Sequence, residues 1–102
     1  MEDDGAAEIL ETRLMRVRGL VQGIGYRDAC IRRAYALGVT GWVRNRMDGS
    51  VEAMVQGTPE QLAAMCDWLS EGMSAAIVDD LEITEVPPPF PRFEQFQQLP
   101  TS

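Results

Sequence analysis

The sequence predicts an α+β sandwich of order βαββαβ, with one antiparallel sheet and both helices on one face of it. Two observations carry this reading. Two segments hold a single apolar stripe at helical spacing, and the segments around them alternate apolar and polar residues at the period of half-buried strands. A third sets the pairing: Asp48-Gly49 lies between two such alternating runs, which is a hairpin signal.

The elements follow in order. From residue 14 to Gly19, Met15 and Val17 alternate with Arg16 and Arg18, giving a first strand that enters a loop with three glycines, Gly19, Gly23 and Gly25. Cys30, Ile31, Ala34 and Leu37 then share one helical face, so the first helix covers residues 27–37, and Gly38 stops it. Trp42 and Val43 open the second strand. After the turn, Val51, Ala53 and Val55 alternate with Glu52, Met54 and Gln56 in the third.

Thr58-Pro59-Glu60-Gln61 combines a capping box with proline at the first helical position. Leu62, Met65, Cys66 and Leu69 form the stripe of the helix that follows, and Gly72 ends it. Residues 77–86 read as a fourth strand, with Leu81 and Ile83 against Glu82 and Thr84, stopped by Pro87-Pro88-Pro89. Phe90, Phe93 and Phe96 mark a short fifth strand or packed terminal segment. Residues 1–12, acidic and poor in large hydrophobes, read as a disordered tail. The domain is then residues 13–97, and residues 98–102 read as a loose end.

Composition removes many functions. At 102 residues and 45% hydrophobic content the chain has enough for one core and too little for two. It contains no histidine, which excludes Ser-His-Asp and Cys-His nucleophile systems and histidine-ligated zinc. Two cysteines, Cys30 and Cys66, cannot build a thiolate metal cage, so neither metal nor cofactor is expected. Both sit on apolar stripes and read as buried thiols. No apolar run approaches the roughly 18 residues of a spanning helix, and the first residues lack the basic segment of a signal peptide, which leaves the cytoplasm as the expected location.

The net charge of −7 argues against nucleic acid or a membrane surface as partner. Its distribution is uneven, however. Residues 13–46 hold eight of the nine arginines and one acid, Asp28, so an anion site belongs in this stretch. Arginine suits it, because the planar guanidinium matches phosphate and carboxylate with two parallel donors.

A glycine-rich turn between a strand and a helix start is a cradle for a tetrahedral anion: successive N–H groups converge, and the helix terminus adds partial positive charge. Arg27 stands just past that turn. A cation at a helix N-terminus opposes the dipole, a conflict that a bound anion removes. Taken by themselves, the glycines could serve turn geometry alone, Arg27 could be a solvated residue, and Asn45 could be a turn former.

The run Gly19-Leu20-Val21-Gln22-Gly23-Ile24-Gly25-Tyr26-Arg27 resembles the signature of the acylphosphatase family, and Leu37-Gly38-Val39-Thr40-Gly41-Trp42-Val43-Arg44-Asn45 resembles its second block. Similarity continues through Asp48 to Glu52, Gln56-Gly57, Trp68-Leu69 and Gly72. The resemblance implies a ferredoxin-like fold and metal-free hydrolysis of small-molecule acyl phosphates, with inorganic phosphate as product and inhibitor. It further implies that Gln22, Gly23, Ile24, Gly25, Tyr26 and Arg27 bind the phosphate and that Asn45 orients the attacking water, so that Arg27 and Asn45 are the catalytic pair.

Tyr26 stands where the family often has Phe and reads as core packing, and Trp42 and Trp68 read as structural. Departures lie toward the C-terminus: Gly72-Met73-Ser74 replaces Gly-Pro-Pro, and Phe93-Glu94-Gln95-Phe96 is the nearest match to the usual ending. The expected oligomeric state is a monomer. Two rival readings are a non-catalytic anion-sensing or partner-binding module of the same fold, and an RNA-binding domain. The second conflicts with the charge and with the lack of closely spaced aromatics on the strands.

Overall fold

The computed structural model describes residues 9–102. Its elements run β1 (Glu11–Leu20), α1 (Tyr26–Leu37), β2 (Thr40–Asn45), β3 (Val51–Gly57), α2 (Pro59–Glu71), β4 (Ile77–Glu85) and β5 (Phe96–Gln98). The strands form one sheet in the order β4-β1-β3-β2-β5. The predicted βαββαβ order is present, and β1, β2, β3 and β4 pair antiparallel.

The core lies between the helices and one face of the sheet. Met15 and Val17 of β1, Val43 of β2 and Val51, Ala53 and Val55 of β3 are fully buried against Cys30 and Ala34 of α1 and Leu62, Met65 and Leu69 of α2. This is the pattern read from the alternation, since residues two apart on a strand share a face. Local chemistry sets the helix limits. Thr58 accepts from the Gln61 N–H while the Gln61 side chain accepts from the Thr58 N–H, which completes the capping box ahead of Pro59. Gly38, left-handed at φ 79°, closes α1 as the Val39 N–H donates to the Ala34 carbonyl.

Four sequence expectations change. The fifth strand is parallel to β2, with Gly41, Trp42 and Val43 opposite Phe96, Gln97 and Gln98, so the sheet is mixed. The chain leaves β4 at one edge of the sheet and must cross to the other. Gln56, 1% exposed, holds the crossing by donating to the Pro91 carbonyl and accepting from the Phe93 N–H.

The expected tail of residues 1–12 does not hold at its far end. Residues 1–8 lie outside the described residues, but Glu11 and Thr12 open β1, and the Thr12 hydroxyl accepts from the buried Gln56 amide. Residues 98–102 are not loose either: the Leu99 N–H donates to Val43, the Ser102 N–H to Asn45, and the Met47 N–H to the Ser102 carbonyl. Backbone groups on the outer side of β2 need partners, and this segment supplies them. Finally, the alternation in β4 does not bury Ile83, which is 44% exposed, because β4 is an edge strand with no strand beyond it. Val78 and Leu81 alone of that strand pack against the core.

Candidate active site

Val43 and Asn45 are two positions apart on β2 and therefore point to the same side of the sheet, the one that carries the helices. Asn45 ends its strand, next to the start of α1. There the loop leaving β1 and the first turn of α1 enclose a cavity of about 240 Å³, lined by Val21, Gln22, Gly23, Gly25, Tyr26, Arg27, Asp28 and Asn45.

The cavity is rich in donors for geometric reasons. Gly25, the N-cap of α1, is left-handed at φ 81° and supplies no capping side chain. The first N–H bonded back along the helix is that of Ala29, to the Gly25 carbonyl at 3.0 Å. The N–H groups of Tyr26, Arg27 and Asp28 therefore have no partner within the helix, and they face the side where the dipole favours an anion. Gly23 is left-handed as well, at φ 78°, and a Cβ built on either glycine meets no atom within 4 Å. These two glycines are needed for their backbone angles, and leaving out a side chain keeps the approach to the N–H groups open.

Arg27 lines the cavity half-buried, and it forms no ion pair with another described residue, although five arginines elsewhere do. Asn45 is the second conspicuous group: its Oδ1 is buried and has no hydrogen-bond partner among the described residues. A buried acceptor left in this state points to a donor arriving from outside the chain.

The other expected site residues divide. Gln22 lines the cavity, but its Nε2 donates to the carbonyls of Arg46 at 2.9 Å and Ser50 at 2.8 Å, so its amide ties the loop to the β2–β3 turn. Ile24 packs against the core and does not line the cavity. The Tyr26 ring is buried, as expected, and stacks obliquely at 5.4 Å from Trp68. Its hydroxyl donates to the Leu69 carbonyl at 2.6 Å. Burial, with the Cys30 thiol adding to it, pushes the phenol well above the ordinary tyrosine range, so it remains a donor.

Sequence reading passed over two features. Asp28, in the cavity wall, is an acid in the first helical turn, a favourable position that could have been read from the dipole. The other is a cluster on the opposite face of the sheet. Glu52, 4% exposed, receives Arg44 Nη2 at 2.8 Å and Nε at 2.9 Å, Arg46 Nη1 at 3.2 Å and Arg16 Nη2 at 3.3 Å. Burial pushes its carboxyl up, but the bonds from Arg44 and Arg16 outweigh that and hold it below the ordinary glutamate range. Only the strand register, which sets Arg16 and Arg44 on either side of Glu52, reveals the cluster.

The sheet order, with both helices on one face, makes this a ferredoxin-like α+β sandwich whose donor-rich cavity lies between the first strand and the first helix. A family model described as Acylphosphatase matches residues 14–97. The chain is 73% identical over 95 residues to Acylphosphatase 1 of Ralstonia nicotianae, which covers 93% of each chain. It is 61% identical over 87 residues to an acylphosphatase of Polaromonas naphthalenivorans, covering 85% of this chain and 86% of that one. Among solved structures, the acylphosphatase from Coxiella burnetii superposes with a TM-score of 0.82 at 28% identity, over 88% of this chain and 93% of its own. The chain therefore belongs to the acylphosphatase family. It is an enzyme, a hydrolase of acid anhydrides, and its reaction is the hydrolysis of small-molecule acyl phosphates.

Proposed function

We propose that the phosphoryl group of the substrate occupies the cavity between Gln22 and Arg27 and that Asn45 orients the water that attacks it. The N–H groups of Gly23 to Arg27 surround the phosphoryl oxygens and the Arg27 guanidinium grips them. Gln22, Ile24 and Tyr26 take part through their backbone, since their side chains are committed to the turn and the core. Water attacks phosphorus, the bond from phosphorus to the bridging oxygen breaks, and the electron pair leaves on the carboxylate. That leaving group has a conjugate-acid pKa of about 4, so it departs without a general acid. Phosphoryl transfer then requires mainly positioning and charge stabilisation, which the cradle and Arg27 supply without a metal.

The observation that carries this reading is the unpartnered Oδ1 of Asn45 in the wall of the same cavity as Arg27. A carbonyl-type oxygen there accepts a hydrogen bond from the water and directs its lone pair at phosphorus. An anion-sensing module would use the grip of Arg27 and leave the amide without a task. We further propose that the enzyme works as a monomer in the cytoplasm on free substrate, without nucleic-acid or membrane partners. The net charge of −7 supports this, and among the described residues no helix is long and apolar enough to cross a membrane.

The deciding assay follows benzoyl phosphate hydrolysis with and without a chelator. Turnover is expected in both; its absence in folded protein would sink the catalytic reading, and its loss with the chelator would sink the metal-free mechanism. Arg27→Ala is expected to abolish both turnover and inhibition by phosphate. Asn45→Ala should lower kcat by roughly 100-fold or more, the range of a single catalytic hydrogen-bonding group, with phosphate inhibition kept. Equal loss of both would make Asn45 a binding group instead.

A further inference from the structure

We infer that Glu52, on the face of the sheet away from the cavity, is a positioning residue for the hydrolysis, acting through Arg44 and Arg46 on the Asn45 that lies between them. The inference rests on the role proposed for Asn45.

The Asn45 Oδ1 has no hydrogen-bond partner among the described residues, so the direction of this oxygen depends on how the backbone that carries it is held. That backbone is held by its own pairing with Val51 and the Ser102 N–H on its carbonyl, and on either side by its two neighbours. Arg44 places its guanidinium 4.9 Å from the centre of the Trp42 ring and gives both Nε and Nη2 to Glu52. Arg46 is held at three points: its side chain by Glu52, its N–H by the Ser50 carbonyl at 2.8 Å, and its carbonyl by the Gln22 amide. The last contact is the one that ties the phosphate loop to the turn. Arg46 is thus the point where the lever from Glu52 meets both the loop and the strand end that carries Asn45.

Glu52 itself is fixed from three sides. It lies on β3 between Arg16 of β1 and Arg44 of β2, and its side chain is 5% exposed. A buried carboxylate ringed by charge-assisted bonds has one allowed orientation, whereas a surface ion pair has many. The spacing between the cradle and the water-orienting amide therefore inherits its precision from a carboxylate that touches neither substrate nor water.

The test is Glu52→Gln, which keeps shape while removing the charge. With benzoyl phosphate, kcat is expected to fall on the order of tenfold, the scale of a small misplacement of a reacting group, while KM and inhibition by phosphate stay within about twofold. In ¹H–¹⁵N spectra of the phosphate-bound protein, the Asn45 side-chain amide signals should shift while the backbone signals of Tyr26, Arg27 and Asp28 stay in place. An unchanged kcat, a loss shared with phosphate inhibition, or unmoved Asn45 amide signals would overturn the inference. If Glu52→Gln does not fold, Arg46→Met carries the same test, since Arg44 and Arg16 remain on Glu52; the same selective loss, about threefold, is expected, and its absence overturns the inference. Full turnover in Asn45→Ala would overturn the reading of Asn45 instead, while the spectra still report whether Glu52 aims its amide.

Discussion

The Tyr26 hydroxyl donates a 2.6 Å hydrogen bond to the carbonyl of Leu69, joining the first residue of α1 to the last turn of α2. Leu69 belongs to the final turn, whose carbonyls lack partners within the helix, so the phenol fills a need that a phenylalanine could not. The same residue continues the loop that lines the cavity. One wall of the cavity is thereby fastened to the second helix across the core.

Tyr26→Phe keeps the ring and leaves the buried Leu69 carbonyl unpaired. The expected cost is about 1–3 kcal/mol, the usual penalty for such a group. Urea denaturation should show a lower midpoint with an unchanged slope; an unchanged midpoint would mean that the bond contributes nothing net.

Gly25→Ala introduces a side chain at φ 81° with no atom in its way. Strain alone then operates, about 1–2 kcal/mol for a left-handed residue with a Cβ. Stability should fall by that amount and the KM for benzoyl phosphate should rise. Gly25→Asn should do less damage, because asparagine tolerates this region. Equal losses for the two would indicate steric blocking of the cavity instead of strain.

Glu52 gives stability a pH dependence of defined sign. Its folded-state carboxyl lies below the ordinary value of 4.5, so its contribution is present in full above that value and disappears as pH falls through the depressed folded-state value. Asp48, held down first by its side-chain and backbone bonds from Ser50, acts in the same direction. Acid denaturation followed by circular dichroism should show stability falling below about pH 4.5. The Glu52→Gln variant should start lower and fall less steeply; an identical slope would contradict the assignment.

The two thiols should differ. Burial pushes the Cys30 thiol up to about 12, and the side chain is wholly enclosed, whereas Cys66 is half-buried and shifted less far by its own burial and by Asp67. A chromogenic disulfide reagent at pH 8 should label Cys66 slowly and Cys30 only on unfolding. Equal rates for both would refute this.

Much of the architecture was legible because its signals are local. The capping box at Thr58, the hairpin at Asp48-Gly49 and the stripe from Leu62 to Leu69 each depend on neighbours within a few residues. Arg27 and Asn45 were legible through motif spacing, and the cavity brings them together. The rest depends on contacts distant in sequence. Nothing near Gln22 foretells that its amide serves Arg46 and Ser50, and nothing near Glu52 foretells three arginines, two of them delivered by strand register. The path of residues 96–102 was hidden for a different reason: it is held along β2 largely by main-chain bonds, to which side-chain patterning is blind.

That last segment has a consequence for behaviour in a crowded solution. Without it, β2 would offer a row of free donors and acceptors to any other extended chain, at the very strand that ends in Asn45. The opposite border of the sheet is guarded differently, by the exposed carboxylates of Asp79, Asp80, Glu82 and Glu85. One flank is covered and the other is charged, so neither invites another molecule to continue the sheet into a fibril.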